Sequence, residues 1–204
     1  MKAVIGITGG ISTGKSNVSN EIRNLGYKVI DSDEIYKNLS KKGMPICKKI
    51  EECFGKKYIL DNGEINRLEL GKLIFYDEAS KNKLNSITHP EIVKEIKKQI
   101  SNSSEELIFV DIPLLYEAKL EYLCDAVLCV YVDYEEQIKR LMERDKIDYS
   151  YAKAKINSQM DINEKIKLSK YSLSSEGSFI DTKAKIIKII DKIKGDFYGN
   201  NSWN

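Results

Sequence analysis

Eight consecutive residues near the start of the chain, Gly9-Gly10-Ile11-Ser12-Thr13-Gly14-Lys15-Ser16, fit the spacing G-x-x-x-x-G-K-[ST]. That spacing suits the holding of a polyphosphate. Glycines let the backbone take conformations closed to other residues and bring its amides against phosphate oxygens. A helix starting near Lys15 adds unsatisfied N–H groups and the positive end of its dipole. The Lys15 ammonium can reach β- and γ-phosphates, and the Ser16 hydroxyl can ligate Mg²⁺. Phosphoryl transfer also needs a second hold on the metal and a group that accepts the acceptor's proton. Two carboxylate sites offer themselves, Asp31-Ser32-Asp33 and Asp111. Asp33 is the candidate for the proton, and Asp111 for the metal or its water shell. Asp31, Ser32 or Asp33 could equally cap a following helix. The residues alone leave both readings open.

These groups need a scaffold, and the pattern around them supplies one. Residues 3–8, AVIGIT, read as a buried strand running into the glycines. From Lys15 to Leu25 the apolar positions Val18, Ile22 and Leu25 recur at helical spacing, and Gly26 stops the run. YKVID, 27–31, is a second short strand, so the chain opens as an α/β fold with a parallel sheet. Residues 34–105 change texture: Lys- and Glu-rich, with helical periodicity in 46–54, 67–76 and 90–100 and no convincing buried strand. Strands resume with LIFVDI, 107–112, and AVLCVYV, 126–132. Charged helical segments fill about 135–168, and a final helix over roughly 182–194 carries Ile186, Ile187, Ile190 and Ile193 on one face. The tail GNNSWN has no pattern and is expected to fray. Asp31, Asp33 and Asp111 close strands, and in open α/β sheets ligands gather at the strands' carboxyl ends.

Composition narrows the partners. In 204 residues, 33 Lys plus Arg against 31 Asp plus Glu leave a net charge of +2. Duplex nucleic acid needs a larger basic surplus, so no nucleic-acid partner is expected. No apolar stretch approaches the ~20 residues of a membrane span, and the N-terminus lacks a signal-peptide pattern, so the expected place is the cytoplasm. Cys47, Cys53, Cys124 and Cys129 form no CxxC pair and read as ordinary thiols, Cys129 as a small buried hydrophobe.

Taken together, separated blocks from residue 4 to about 178 resemble the dephospho-CoA kinase family. GITGGISTGKS is similar to its phosphate loop and VIDSD, 29–33, to its second-strand motif; Gly43-Met44-Pro45 resembles its G-x-P turn. Asn62-Gly63 with Asn66-Arg67 resembles D-G-x-x-N-R, and Leu84-Asn85 with His89-Pro90 resembles L-N-x-I-x-H-P. Asp111-Ile112-Pro113-Leu114-Leu115-Tyr116-Glu117 is similar to D-x-P-L-L-x-E, and Gln137, Arg140, Leu141 and Arg144 fit Q-x-x-R-L-x-x-R, with Gln159 following. All three prolines and the only histidine fall inside these blocks.

The resemblance implies a P-loop fold, a three-layer α/β/α with a five-stranded parallel sheet. It implies a nucleotide-binding core in 1–33, 106–137 and 166–204, a helical CoA-substrate-binding insertion in 34–105 and a small helical lid in 138–165. It implies a reaction in which ATP, with Mg²⁺, phosphorylates the ribose 3′-hydroxyl of dephospho-CoA. The implied partners are these two small molecules, with the chain a monomer or weak homo-oligomer. Asp33 then stands as general base, with Lys15 and Arg140 stabilising the transferring charge. Gly10, Ile11, Ser12, Thr13, Gly14, Lys15, Ser16, Asn17, Arg144 and Ser175 are implied for ATP. Asp33, Asn66, Arg67, His89, Leu114, Leu115 and Glu117 are implied for the acceptor, and Ser16 and Asp111 for the metal.

Four positions depart from the family's pattern. Ser12 replaces a glycine, Asn17 a threonine and Asn62 an aspartate, and Ser175 stands where an asparagine is expected in a loop near the adenine. A kinase of the same fold with another nucleoside or nucleotide acceptor is the nearest alternative. A binding-only relative is a second, but it would be expected to have lost Lys15 or Asp33.

Overall fold

The computed structural model describes residues 2–199, so the expectation for the tail from Asn200 onward lies outside the described residues. The chain divides into two units, one formed by the stretches up to Ile30 and from Ser104 on, the other by Asp31–Ser103.

The first unit is organised by a five-stranded sheet. β1 (Ala3–Gly9), β2 (Lys28–Asp31), β3 (Leu107–Asp111), β4 (Ala126–Tyr131) and β5 (Tyr171–Ser174) lie in the order β2-β3-β1-β4-β5. β1 is parallel to both β3 and β4, with Ile7 level with Asp111 on one side and Leu128 on the other. All seven residues of β1 are buried, as the unbroken apolar run requires of a central strand. Val18 and Ile22 of α1 (Lys15–Asn24) join Ile5, Ile7, Phe109 and Leu128 in one apolar core. Ile186, Ile190 and Ile193 of α9 (Phe179–Tyr198) belong to the same core. Each such fully buried side chain stabilises by roughly 1.5–3 kcal/mol. Cys129 is fully buried in β4, and burial pushes its thiol up to about 12.

Two details differ from expectation here. The last helix begins at Phe179, where Ser178 and Asp181 form a capping box, and Ile187 turns out of the core at 41% exposure. β5 had no strand-like apolar run. It is the edge strand, and its Tyr171 and Leu173 point inward while Ser172 faces solvent.

Between β4 and β5 run α6 (Tyr134–Asp145), α7 (Tyr149–Asn157) and α8 (Ile162–Leu168). Ile138, Leu141 and Ala152 form a small core there.

The second unit carries α2 (Ser32–Leu39), α3 (Pro45–Phe54), α4 (Arg67–Tyr76) and α5 (Glu78–Asn102) around its own core of Ile46, Cys47, Ile50, Tyr58, Ile65, Leu70 and Leu84. Pro45 opens α3 at a position where the missing N–H costs nothing. The helix expected over 90–100 starts twelve residues earlier, at Glu78, and passes through Pro90. Asp77 caps it, its carboxylate accepting from the Ala79 N–H at 3.0 Å. Buried Leu84, Thr88 and Ile96 hold the helix on both sides of the proline.

Candidate active site

The phosphate loop leaves β1 at Gly9 and enters α1 at Lys15. Gly14 takes φ 79° and Ser12 φ 58°, both left-handed, a conformation free for glycine and strained for serine. No side chain caps the start of α1 and no acid lies in its first turn, which leaves that end suited to an anion. Ser16 and Asn17 are exposed there.

Side chains from distant segments fix the loop. The Ser175 hydroxyl donates to the Thr13 carbonyl at 2.6 Å, and the Thr13 hydroxyl to the Gly10 carbonyl at 2.9 Å. Two glutamines bracket Ile11: its N–H donates to Gln159 Oε1 at 2.9 Å, and its carbonyl accepts from Gln137 Nε2 at 2.7 Å. Gly10 is needed as glycine here, since a Cβ would stand 2.6 Å from Gln137 Nε2.

At the end of β3, Asp111 is 2% exposed and ion-paired with Lys15. Its second oxygen accepts from the Ser19 hydroxyl at 2.6 Å. On α6, Arg140 donates to Glu136 at 2.7 Å, to the Ser175 hydroxyl at 3.2 Å and to the Ser175 carbonyl at 3.3 Å. Lys15, Asp111, Arg140 and Ser175 therefore meet around the loop. Arg144, one turn along, is more exposed and pairs with Asp145 at 2.8 Å. Hydrogen bonds from Arg144 and Lys155 hold the Asp145 carboxyl down at about 2. The two arginines, four residues apart on α6, thus have different partners.

After β3, Leu114 is 40% exposed, whereas Leu115 is fully buried and would meet a Cβ on Gly6 at 2.8 Å. The Leu115 side chain packs in the core beside Gly6, while Leu114 faces out. Glu117 pairs with the fully buried Lys165 at 2.8 Å and accepts from the Met160 N–H at 3.1 Å.

In the Asp31–Ser103 unit the cap of α2 is Asp31, which accepts from the N–H groups of Asp33 at 2.9 Å and Glu34 at 3.1 Å. Asp33 stands exposed in the first turn. Asn66 caps α4 by accepting from the Glu69 N–H at 3.2 Å. Arg67 lies over the Tyr36 ring at 5.5 Å and donates to the Lys37 carbonyl at 3.3 Å. His89 is half-buried within α5, and burial lowers its imidazole below the ordinary value.

A family model described as "Dephospho-CoA kinase" matches residues 3–181. The chain belongs to the dephospho-CoA kinase family. Within that family it is 42% identical to a dephospho-CoA kinase of Carboxydothermus hydrogenoformans over 194 residues, 94% of each chain. A solved dephospho-CoA kinase of Campylobacter jejuni, 30% identical, aligns with a TM-score of 0.63 over 94% of this chain and 97% of that one. A Thermus thermophilus structure, 28% identical, aligns at 0.83 over the same shares. The family's loop glycine is a strained Ser12 here. Sequence reasoning gave Ser19 and Lys165 no role, and matched Gln137 and Gln159 to a pattern without one. A serine inside a polar helix or one lysine among many gives no signal until the fold is known.

Proposed function

We propose that the chain transfers the γ-phosphoryl group of ATP to the ribose 3′-hydroxyl of dephospho-CoA, releasing ADP and CoA. The observation that carries this reading is the meeting of Lys15, Asp111 and Arg140 around a glycine loop that feeds an uncapped helix start. Such an arrangement does what phosphoryl transfer asks of a protein, the placing of phosphates and the offsetting of their charge.

Lys15 would exchange Asp111 for the β- and γ-phosphate oxygens, the change a bound polyphosphate favours. Backbone N–H groups between Ser12 and Ser16, at the start of α1, would hold the rest of the chain of phosphates, with Gly10, Ile11 and Asn17 flanking them. Arg140, already aligned by Glu136 and Ser175, would stabilise charge on the transferring group, with Arg144 as a second phosphate contact. Ser175 borders the nucleotide through Thr13, in place of the family's asparagine.

One hydroxyl and one carboxylate suit Mg²⁺, which completes its shell with phosphate oxygens and water. Ser16 and Asp111 would hold it, and when bound it would offset charge on the β- and γ-phosphates. Asp33, exposed in the first turn of α2, would accept the 3′-hydroxyl proton. Asn66, Arg67, His89, Leu114 and Glu117 would orient the acceptor. We divide the chain as nucleotide-binding core (1–33, 106–137, 166–204), acceptor-binding insertion (34–105) and lid (138–165). Four unpaired cysteines fit work in the reducing cytoplasm, as a monomer or weak homo-oligomer.

The test is ADP release with ATP, Mg²⁺ and dephospho-CoA, with adenosine and AMP as control acceptors. Turnover with dephospho-CoA alone is expected. Turnover with a control acceptor instead would replace the acceptor, and ATP binding without any turnover would leave a binding-only protein.

A further inference from the structure

Lys165 of α8 is fully buried, an unusual place for a lysine. Its ammonium has three N–H groups and three oxygens around it: Glu117 Oε1 at 2.8 Å, the Gly9 carbonyl at 3.1 Å and the Pro113 carbonyl at 3.3 Å. The Thr8 hydroxyl shares the Pro113 carbonyl at 3.0 Å. The second Glu117 oxygen is buried without a hydrogen-bond partner among the described residues.

Such a pair is poor value as a stabiliser. Taking both charges out of water costs about as much as their attraction returns, and apolar replacements of similar volume are often neutral or better. What the ammonium touches suggests another use. Gly9 is the last residue of β1 and the first of the phosphate loop. A trans peptide holds its C=O and N–H on opposite sides, so a cation gripping the Gly9 carbonyl also sets the direction of the Gly10 N–H. Gly9 lies too close to β4 for any side chain, since a Cβ there would stand 2.5 Å from the Val130 carbonyl oxygen. Gln137 and Gln159 fix the next residue, Ile11, in the same manner.

We propose that Lys165 is a positioning residue for ATP: its ammonium, balanced by Glu117, locks the entry of the phosphate loop in the shape that receives phosphate. The pair is neutral overall, so its contribution is geometric and not a long-range attraction for the nucleotide. This rests on the phosphoryl-transfer reading of the loop.

The experiment compares the full-length wild type with Lys165→Met and with Lys165→Met/Glu117→Gln, which removes the buried ammonium and its partly exposed counter-charge together. Equilibrium affinity for Mg-ATP, KM for ATP and for dephospho-CoA, and thermal melts are measured on each. Both variants are expected to bind ATP about tenfold more weakly or worse, the scale of one lost charge-assisted hydrogen bond. In Lys165→Met the KM for dephospho-CoA should stay within about twofold. A purely structural lysine would lower the active fraction, and hence kcat, without changing the ATP affinity of folded molecules. ATP affinity within about twofold of wild type in the folded double variant would overturn the proposal, as would failure of both variants to fold. Wild-type turnover is scored separately: its absence counts against the kinase reading, and the ATP affinities still decide the role of Lys165.

Discussion

The groups around the phosphate loop and those in Asp31–Ser103 are fixed by contacts of different reach. Lys15 is held by Asp111, Thr13 by Ser175 and Ile11 by Gln159, partners 96, 162 and 148 residues away. In the other unit Asp31 and Asn66 serve the first turns of their own helices, two or three residues on. The loop's shape is thus a property of the assembled first unit and costly to alter. Asp31, Asp33 and Asn66 ride on helix ends whose local geometry can adjust with little effect elsewhere. Preorganisation belongs where charge must be met without delay, and latitude where a large acceptor has to be accommodated.

Lys15→Ala should produce the largest effect and strike both levels at once. Turnover is expected to fall by about 10³-fold or more, because the charge on the phosphates goes unmet. Stability should also fall, by about 3 kcal/mol, as Asp111 is left buried without its cation. Steady-state kinetics and urea unfolding read the two losses, and unchanged stability would break the claim that the loop is tied to the sheet.

A smaller effect is expected in the other unit. Burial lowers the His89 imidazole below its ordinary 6.5, so the unfolded chain takes up its proton first as pH falls. The stability due to neutral His89 is then full above about pH 6.5 and is lost as pH drops through the lowered value. His89→Gln should abolish that part of the acid-side decline in urea midpoints between pH 7.5 and 5.5. A variant as acid-sensitive as the wild type would assign the decline to other groups.

The smallest effect is expected from Ser12→Gly, which relieves a left-handed serine whose hydroxyl is buried without a hydrogen-bond partner among the described residues. Relief of strain and the added freedom of the unfolded glycine partly cancel, leaving a gain of up to ~1 kcal/mol. A thermal melt lower than the wild type's would mean that the Ser12 side chain is used after all.

The elements legible in the sequence were those with a one-sided reason to exist. β1, β3 and β4 are apolar throughout because they are buried on both faces, and the loop is legible because phosphate binding demands glycines and a lysine at fixed spacing. β5 was hidden because an edge strand needs only Tyr171 and Leu173 inside. The first half of α5 was hidden because Pro90 reads as a boundary, while the contacts of Leu84 and Thr88 that override it are tertiary. For the site, Lys15, Asp33 and Asp111 were nameable as candidates from type and spacing, and Arg140 only through the family resemblance. A motif position does not say which way a side chain points: Leu114 faces out and Leu115 into the core. Lys165 and the two glutamines act through backbone groups, and any residue has a backbone.

The division of labour can be tested at one residue. Turnover with dephospho-CoA and equilibrium ATP affinity should be measured on the same preparation of Asp33→Asn, an exposed position where folding is not at stake. The prediction is a loss of about 10²–10⁴-fold in turnover, the scale of a missing general base, with ATP affinity within about twofold of wild type. Normal turnover in Asp33→Asn, or an ATP affinity that falls along with it, would contradict the assignment.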